Sequence, residues 1–341
     1  MELVKYDEPT NGLVQAGTVY TDADYAISDS TRLRLADSSP ANTRRAYTRQ
    51  WTQFTEWCAQ PGAIRIPLPA TPQTYADYVS HLADTGYAPS TIEQAMGAIR
   101  SCHTAAGYEG RPESRAALLV LRQYKRQRAE NGQNQQKEAP PVTVPILQAM
   151  VDSCPQDTLI GIRDRLVLVL GLALMGRRSE LVALNRPDVT VVPDGLEVAL
   201  RTSKTDKDSL GTIIAIPRGS HPLTDPVSAL LAWTDAIDAA GHHDGRLLRR
   251  LYVHDTIGTK LGGDSINEIV RAAAIRADVP RADEYTAHSL RAGGATIAYA
   301  AGVPISIIAK HGRWAINSPV LLRYIRAVDR WRDNAMRNVG L

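Results

Sequence analysis

The sequence predicts a mainly α-helical protein in two parts: an N-terminal helical bundle, then a mixed α/β domain that is mostly helical with one small antiparallel sheet. Three observations predict it. Apolar residues between Asn42 and Tyr124 recur every three or four positions, the spacing that lays one stripe along a helix. Glu130 to Pro141, reading ENGQNQQKEAPP, is polar, contains glycine and ends in two prolines, as an extended interdomain linker does. Beyond it, helical periodicity gives way to short β-branched runs only between Val189 and Ile216. A chain of 341 residues also suits two domains, each large enough to bury its own core.

Residues 1–39 show no sustained periodicity and end in Ser38-Ser39 before Pro40, so a flexible tail is expected there. The bundle is expected over 40–129. Tyr47, Trp51, Phe54 and Trp57-Cys58 share one helical face, and Pro72 to Leu82 repeats the pattern. Ser90 reads as the cap of a third helix carrying Ile92, Met96 and Ile99, and Ala116 to Tyr124 begins a fourth. Arg122, Lys125, Arg126 and Arg128 form a basic run into the linker at 130–141. Two readings stand for it: a solvated helix end, or a strap that contacts phosphates.

In the second domain, 142–341, Val144 to Met150 and Ile162 to Met175 read as helices. Val189 to Val192, Leu196 to Arg201 and Thr212 to Ile216 read as strands, and Thr202 to Leu210 is rich in the Asp, Lys and Ser of a hairpin turn. Helices return over Pro226 to Ala240, Ser265 to Ala277 and on to the C-terminus.

Composition narrows the function classes. With 44% apolar and 22% charged residues and no long low-complexity stretch, the chain is an ordinary folded protein. It has no run of eighteen apolar residues and no basic patch followed by an apolar segment at its N-terminus. Neither a membrane partner nor a signal peptide is expected, and a cytoplasmic location is. Cys58, Cys102 and Cys154 are widely spaced and odd in number, which suggests neither a disulfide framework nor a zinc site. The net charge of +3 is uneven: residues 1–39 carry −4, residues 40–139 carry +4 and the remainder +3. A basic body behind an acidic leader fits a polyanionic partner.

Four segments carry chemistry. In Thr286-Ala287-His288-Ser289-Leu290-Arg291-Ala292-Gly293-Gly294, His288 and Arg291 are three apart, so a helix points both to one side, and the glycines let other backbone come close. Met175-Gly176-Arg177-Arg178-Ser179-Glu180 sets Arg177 and Glu180 at the same interval; alone this reads equally as a surface ion pair. Ser203-Lys204-Thr205 sets a lysine in the hairpin turn. Gly312-Arg313-Trp314 precedes Arg323-Tyr324-Ile325-Arg326. Gly241-His242-His243-Asp244-Gly245 is a poor metal site, because adjacent histidines point apart and the glycines mark a loop.

Together, in this order, these segments resemble the tyrosine recombinase (phage integrase) family across the whole second domain. The Asn42-Thr43-Arg44-Arg45-Ala46-Tyr47 helix, Ser289 beside the histidine and Tyr324-Ile325-Arg326 are most similar to its Cre-like branch. The resemblance implies a helical core-binding domain and a catalytic domain that cleaves and rejoins DNA. It implies that Tyr324 is the nucleophile, that Arg177, His288 and Arg291 surround the scissile phosphate, and that Lys204 serves the leaving oxygen. Trp314 takes the position of a His or Trp, with His311 as the other candidate, and Glu180 takes the acidic position. Tyr324 lies ten positions after Trp314, one more than is usual in the family, and Asn317-Ser318-Pro319 can absorb the extra residue as a helix entry.

The same resemblance sets Arg44, Arg45, Tyr47 and Arg49, with Ser90, Thr91 and Gln94, against DNA. It makes Ser265 to Ala277, with Asn267 and Arg271, the major-groove helix. Each of these is equally readable as solvated surface. Val328, Trp331, Met336 and Val339 can share one helical face; it either folds back on its own domain or, as in the family, docks into a neighbouring subunit. The implied partners are double-stranded DNA with inverted repeats and further copies of this chain, assembled as a tetramer. Sequence-specific binding without strand exchange, and a type IB topoisomerase-like or hairpin-resolving activity, are the alternatives.

The residue types fit the chemistry. Negative charge grows on the non-bridging oxygens of a phosphodiester under attack, and two arginines clamp them through paired, charge-assisted hydrogen bonds. A tyrosine of pKa about 10 must lose its proton as it attacks, and His288 is a candidate base. The departing 5′ oxygen needs a proton, which Lys204 can supply. Because one ester replaces another of similar energy, no cofactor is required, and the sequence carries no phosphate-binding loop or metal-ligand spacing.

Overall fold

The computed structural model describes residues 21, 26–37, 40–133, 139–201, 211–253, 256–332, 336 and 339. The chain divides into two compact units, Met1–Gln136 and Lys137–Leu341.

The first unit is helical: α1 (Asp29–Asp37), α2 (Ala41–Cys58), α3 (Pro72–Asp84), α4 (Pro89–Ala105) and α5 (Arg115–Glu130). Helix α1 lies within the segment expected to be a tail. Its few apolar residues give no stripe, yet Ser28 Oγ accepts the Thr31 backbone N–H at 3.2 Å and Asp29 pairs with Arg32 at 3.6 Å. Helix α4 differs from expectation too. Ala88 holds its N-cap position and Pro89 follows inside the helix, so Ser90 is not the cap. Proline, with φ preset and no N–H to satisfy, replaces the capping hydroxyl. Helix α5 continues through Glu130, so the basic run is helical.

Helix α2 packs on α4 and α3 on α5. The stripe read from the sequence forms the core, with Phe54 and Trp57 set against Tyr78 at ring distances of 4.9 and 5.1 Å. Fully buried His103 accepts the Ala70 N–H at Nε2 (2.8 Å), and its Nδ1 bonds the Ile99 carbonyl (2.8 Å). These partners require the neutral ring. Burial lowers its pKa, against an opposing pull from the Ile99 bond. Below about pH 6.5 the unfolded chain takes up this proton more readily than the folded one. The first unit should therefore lose stability as pH falls through 6.5 towards the lower folded pKa. Hydrogen exchange across α2–α5 of the full chain between pH 5 and 8 checks this, and His103→Gln should flatten the dependence.

The second unit comprises α6 (Val144–Asp152), α7 (Leu159–Ala173), α8 (Arg178–Ala183), a sheet, α9 (Pro226–Ala239), α10 (Gly263–Arg276), α11 (Ala287–Ala300), α12 (Ile305–Gly312) and α13 (Pro319–Arg332). The sheet is antiparallel in the order β1 (Val189–Val192), β2 (Gly195–Leu200), β3 (Thr212–Pro217). Val198 pairs with Val189 on one side and Ile214 on the other. Helix α7 is apolar nearly all round, from Leu166 to Leu170, and so lies in the middle of the core. Helices α6, α9, α10 and α11 surround it. Trp233, fully buried, donates Nε1–H to the Leu247 carbonyl at 2.8 Å.

The glycines after Arg291 permit the close approach expected of them. A Cβ on Gly293 would stand 2.2 Å from the Val142 carbonyl oxygen, and one on Gly294 2.6 Å from that of Leu172. The Val142 N–H meanwhile donates to the Ser289 carbonyl at 3.0 Å, which ties the entry of the unit to α11. Gly293→Ala should destabilise the second unit by about 1–3 kcal/mol, the range for forced overpacking, read as a lower urea midpoint.

Candidate active site

Three turns bring the site together. The first follows α7, where Met175 adopts a left-handed conformation (φ 48°) and Gly176 leads to Arg177 at the N-cap of α8. Glu180, one turn into α8, reaches back. Its Oε2 accepts the Arg177 backbone N–H at 2.8 Å and its Oε1 accepts Arg177 Nη1 at 2.5 Å. This satisfies an otherwise orphaned helix N–H and aims the guanidinium. Glu180 is 5% exposed. Burial pushes its carboxyl up, but the charge of Arg313 and the bonds from Arg177 outweigh that and hold it below the usual range.

The second turn opens α11. Thr286 accepts the His288 N–H (3.2 Å), and Ser289 Oγ accepts the Thr286 N–H (3.0 Å). This reciprocal cap fixes His288 in the first turn of the helix. His288 is exposed, whereas Arg291, one turn on, is buried. Arg291 Nη1 donates to the Met175 carbonyl and Nη2 to the Gly312 carbonyl at 2.6 Å. Burial and then the nearby Arg177 charge push Arg291 down to about 9, against the pull of Glu180. It is still a cation at neutral pH, and an added anion suits it.

The third turn joins α12 to α13. Arg313 caps α12 in the left-handed conformation (φ 57°), and Trp314 folds back over Gly312, where a Cβ would stand 1.9 Å from the indole. Only glycine admits the ring there. The Trp314 face receives the Arg291 guanidinium at 3.9 Å, a cation–π contact, and its ring meets Tyr324 edge-on at 6.2 Å. Helix α13 begins at Pro319, as the Asn317-Ser318-Pro319 entry suggests, and brings Tyr324 to a position 8% exposed. The Tyr324 hydroxyl hydrogen-bonds His288 Nε2. A phenol is thus already joined to an imidazole, beside two arginines.

Arg177, Glu180, His288, Arg291, Trp314 and Tyr324 therefore converge. Lys204 lies outside the described residues. His311 Nε2 donates to the Ala173 carbonyl at 2.8 Å, whereas Trp314 lies against Arg291 and Tyr324. Arg313 is the addition that sequence reasoning did not make. It is buried and ion-paired with Glu180 at 2.9 Å, and nothing local in Gly-Arg-Trp signals a partner 133 residues away. In the Gly241–Gly245 loop, His243 sits 3.1 Å from the Asp238 carboxylate, which Arg186 also holds.

The remaining candidates are surface residues of mixed placement. On α2, Arg45 and Arg49 are exposed and Arg44 and Tyr47 half-buried, and the Tyr47 hydroxyl would meet a Cβ on Gly97 at 3.2 Å. On α4, Ser90 and Gln94 are exposed and Thr91 half-buried; on α5, Arg122, Lys125 and Arg126 are exposed. Lys125 is paired with Glu93 at 2.5 Å. On α10, Asn267 and Arg271 are half-buried: Asn267 Oδ1 accepts the Ala287 N–H at 3.1 Å, and Arg271 Nε donates to the Asp283 carbonyl at 3.0 Å. Met336 and Val339 are exposed, while the side chains of Val328 and Trp331 lie outside the described set.

No family model matches the chain. It is 31% identical over 316 residues to an integrase/recombinase XerD homolog of Selenomonas ruminantium, covering 92% of this chain and 89% of that protein. It is 24% identical over 328 residues to recombinase Cre of Escherichia phage P1, covering 89% and 91%. Its fold matches that of a lambda integrase tetramer bound to a Holliday junction, with a TM-score of 0.51 at 15% identity over 85% of this chain and 77% of that one.

Proposed function

Because this chain belongs to the tyrosine recombinase family, we propose that it cuts and rejoins DNA at specific sites, with Tyr324 as the nucleophile. The observation that carries the reading is the hydrogen bond between the Tyr324 hydroxyl and His288 Nε2, beside Arg291 and Trp314.

The phenolic oxygen attacks phosphorus as its proton passes to His288 Nε2. Arg177 and Arg291 hold the non-bridging oxygens, where charge develops. The P–O5′ bond breaks, and Lys204 gives a proton to the leaving oxygen. The product is a 3′-phosphotyrosine and a free 5′ hydroxyl. Attack by the 5′ hydroxyl of a second duplex reverses each step and completes the exchange. Glu180 does not touch the phosphate; it aims Arg177.

The basic side chains of α2 and α5, with Ser90, Thr91 and Gln94 of α4, supply phosphate and groove contacts in this scheme. Asn267 and Arg271 position α10 against its neighbours as well as facing any DNA there. The lambda integrase likeness supports a tetramer that holds two duplexes through a Holliday junction, with the segment from Val328 to Val339 docked on the next subunit. The described residues include no helix long and apolar enough to cross a membrane, and DNA exchange is assigned to the cytoplasm.

The test is a duplex carrying the binding site, nicked beside the cleavage point so that the freed end diffuses away. A protein–DNA adduct that survives denaturation is expected. Its absence on a DNA that the protein binds specifically rules out the enzyme and leaves a binding protein.

A further inference from the structure

Both arginines assigned to the phosphate bond to the backbone of a single turn. Arg177 Nη2 donates to the Arg313 carbonyl at 3.2 Å, and Arg291 Nη2 to the Gly312 carbonyl at 2.6 Å. The Arg313 side chain runs the opposite way. Its Nη2 donates to Glu180 Oε2 at 2.9 Å and to the Met175 carbonyl at 3.3 Å. Both terminal nitrogens reach the Leu174 carbonyl at 3.3 Å, and Nη1 reaches the His311 carbonyl at 2.7 Å. Glu180 is the carboxylate that aims Arg177, and the Met175 carbonyl is an anchor of Arg291. One guanidinium therefore meets a partner of each.

We propose that Arg313 is a positioning residue for strand cleavage. Its guanidinium ties the Gly312–Arg313 turn to Glu180 and to the Leu174–Met175 turn, and so fixes the distance between Arg177 and Arg291. This rests on the reading above that those two arginines hold the scissile phosphate.

Three features support it. Arg313 is 7% exposed, so its charge is held inside the site. Its φ of 57° is a conformation in which glycine is at ease and a residue with a Cβ is strained; such strain persists where surrounding bonds over-determine it. A planar fork also meets several acceptors at fixed angles, which a lysine ammonium cannot do.

A purely structural role predicts lost folding and little else, whereas a positioning role predicts a split. Single-turnover adduct formation, DNA affinity and thermal midpoint are measured on the full chain with the nicked duplex, for wild type, Arg313→Gly, Arg313→Lys and Tyr324→Phe. Arg313→Gly relieves the backbone but takes a buried partner from Glu180, so its midpoint should fall; at a temperature where it is folded it should bind DNA within about twofold of wild type. Its cleavage should fall about 100-fold, the scale of a misplaced catalytic group.

The pH profile gives a second readout. Glu180 faces Arg177 from its own segment, Arg313 from the α12–α13 turn and Arg291 from α11. Removing Arg313 should raise the pH at which activity is lost on the acid side. Arg313→Lys should restore that limb but not the rate.

Cleavage by Arg313→Gly within twofold of wild type overturns the proposal, as does a loss that follows DNA affinity with the acid limb unmoved. Where Arg313→Gly is folded at no temperature tested, the lysine variant decides: folded and cleaving at the wild-type rate, it overturns the fixed-distance role. An adduct that persists in Tyr324→Phe refutes the nucleophile and not Arg313, while a wild type that forms none refutes both.

Discussion

Tyr324→Phe should bind the DNA site with wild-type affinity and form no covalent adduct, a fall in strand cleavage on the order of 10⁴–10⁶-fold, as for loss of other enzyme nucleophiles. The substitution removes one oxygen. The ring keeps its place among Leu321, Ile325, Met175, Ala295 and Ile308 and its edge contact with Trp314. What disappears is the bond to His288 Nε2, and His288 is exposed, so water can replace the hydroxyl as its partner. The loss of stability should therefore stay near 1 kcal/mol, the net worth of one hydrogen bond. A variant that binds, melts like wild type and yields no adduct isolates the chemistry from the fold. Denaturing electrophoresis with the nicked duplex reads the first effect, and a thermal melt the second.

How far the site was legible in the sequence depended on how locally each residue is set. His288 and Arg291 share one helix, so their interval of three was enough to group them, and Thr286 and Ser289 supply a reciprocal cap from adjacent positions. Arg177 and Glu180 share one turn in the same way. Helices with a strong apolar stripe, such as α2, were readable for the same reason. Long-range contacts were not. The pairing of Arg313 with Glu180 joins residues 133 positions apart, and its backbone conformation favours glycine, so nothing nearby pointed to a buried arginine. Asn267 and Arg271 show the converse limit. Helical spacing puts them on one face, but it does not show that each also holds a backbone group, the Ala287 N–H and the Asp283 carbonyl. Helix α1 is not legible from an apolar stripe; what marks its start is local, the Ser28 hydroxyl that accepts the Thr31 N–H.

Arg291→Lys should be the most damaging substitution that preserves charge, with cleavage down by about 10²–10³-fold, the loss seen when one transition-state donor is removed. Arg291 does two things at once, and the proposed function adds a third, a charge for phosphate. Its two terminal nitrogens bond the Met175 and Gly312 carbonyls, and its flat face lies 3.9 Å from Trp314. An ammonium keeps the charge but lacks the planar fork, so it cannot hold both carbonyls and still present donors to a phosphate oxygen. Freed from its stacking partner, Trp314 should also move, and with it the edge that Tyr324 packs against. The loss should appear in the cleavage step and in a changed tryptophan fluorescence signal, with site affinity nearly unchanged because lysine keeps the positive charge. Arg291→Ala goes further. It leaves the buried Gly312 carbonyl without its donor and opens space under the indole, so it should lower the melting midpoint by the equivalent of about 1–3 kcal/mol. Wild-type cleavage by Arg291→Lys would show that charge alone suffices there, and the clamp would then rest on Arg177.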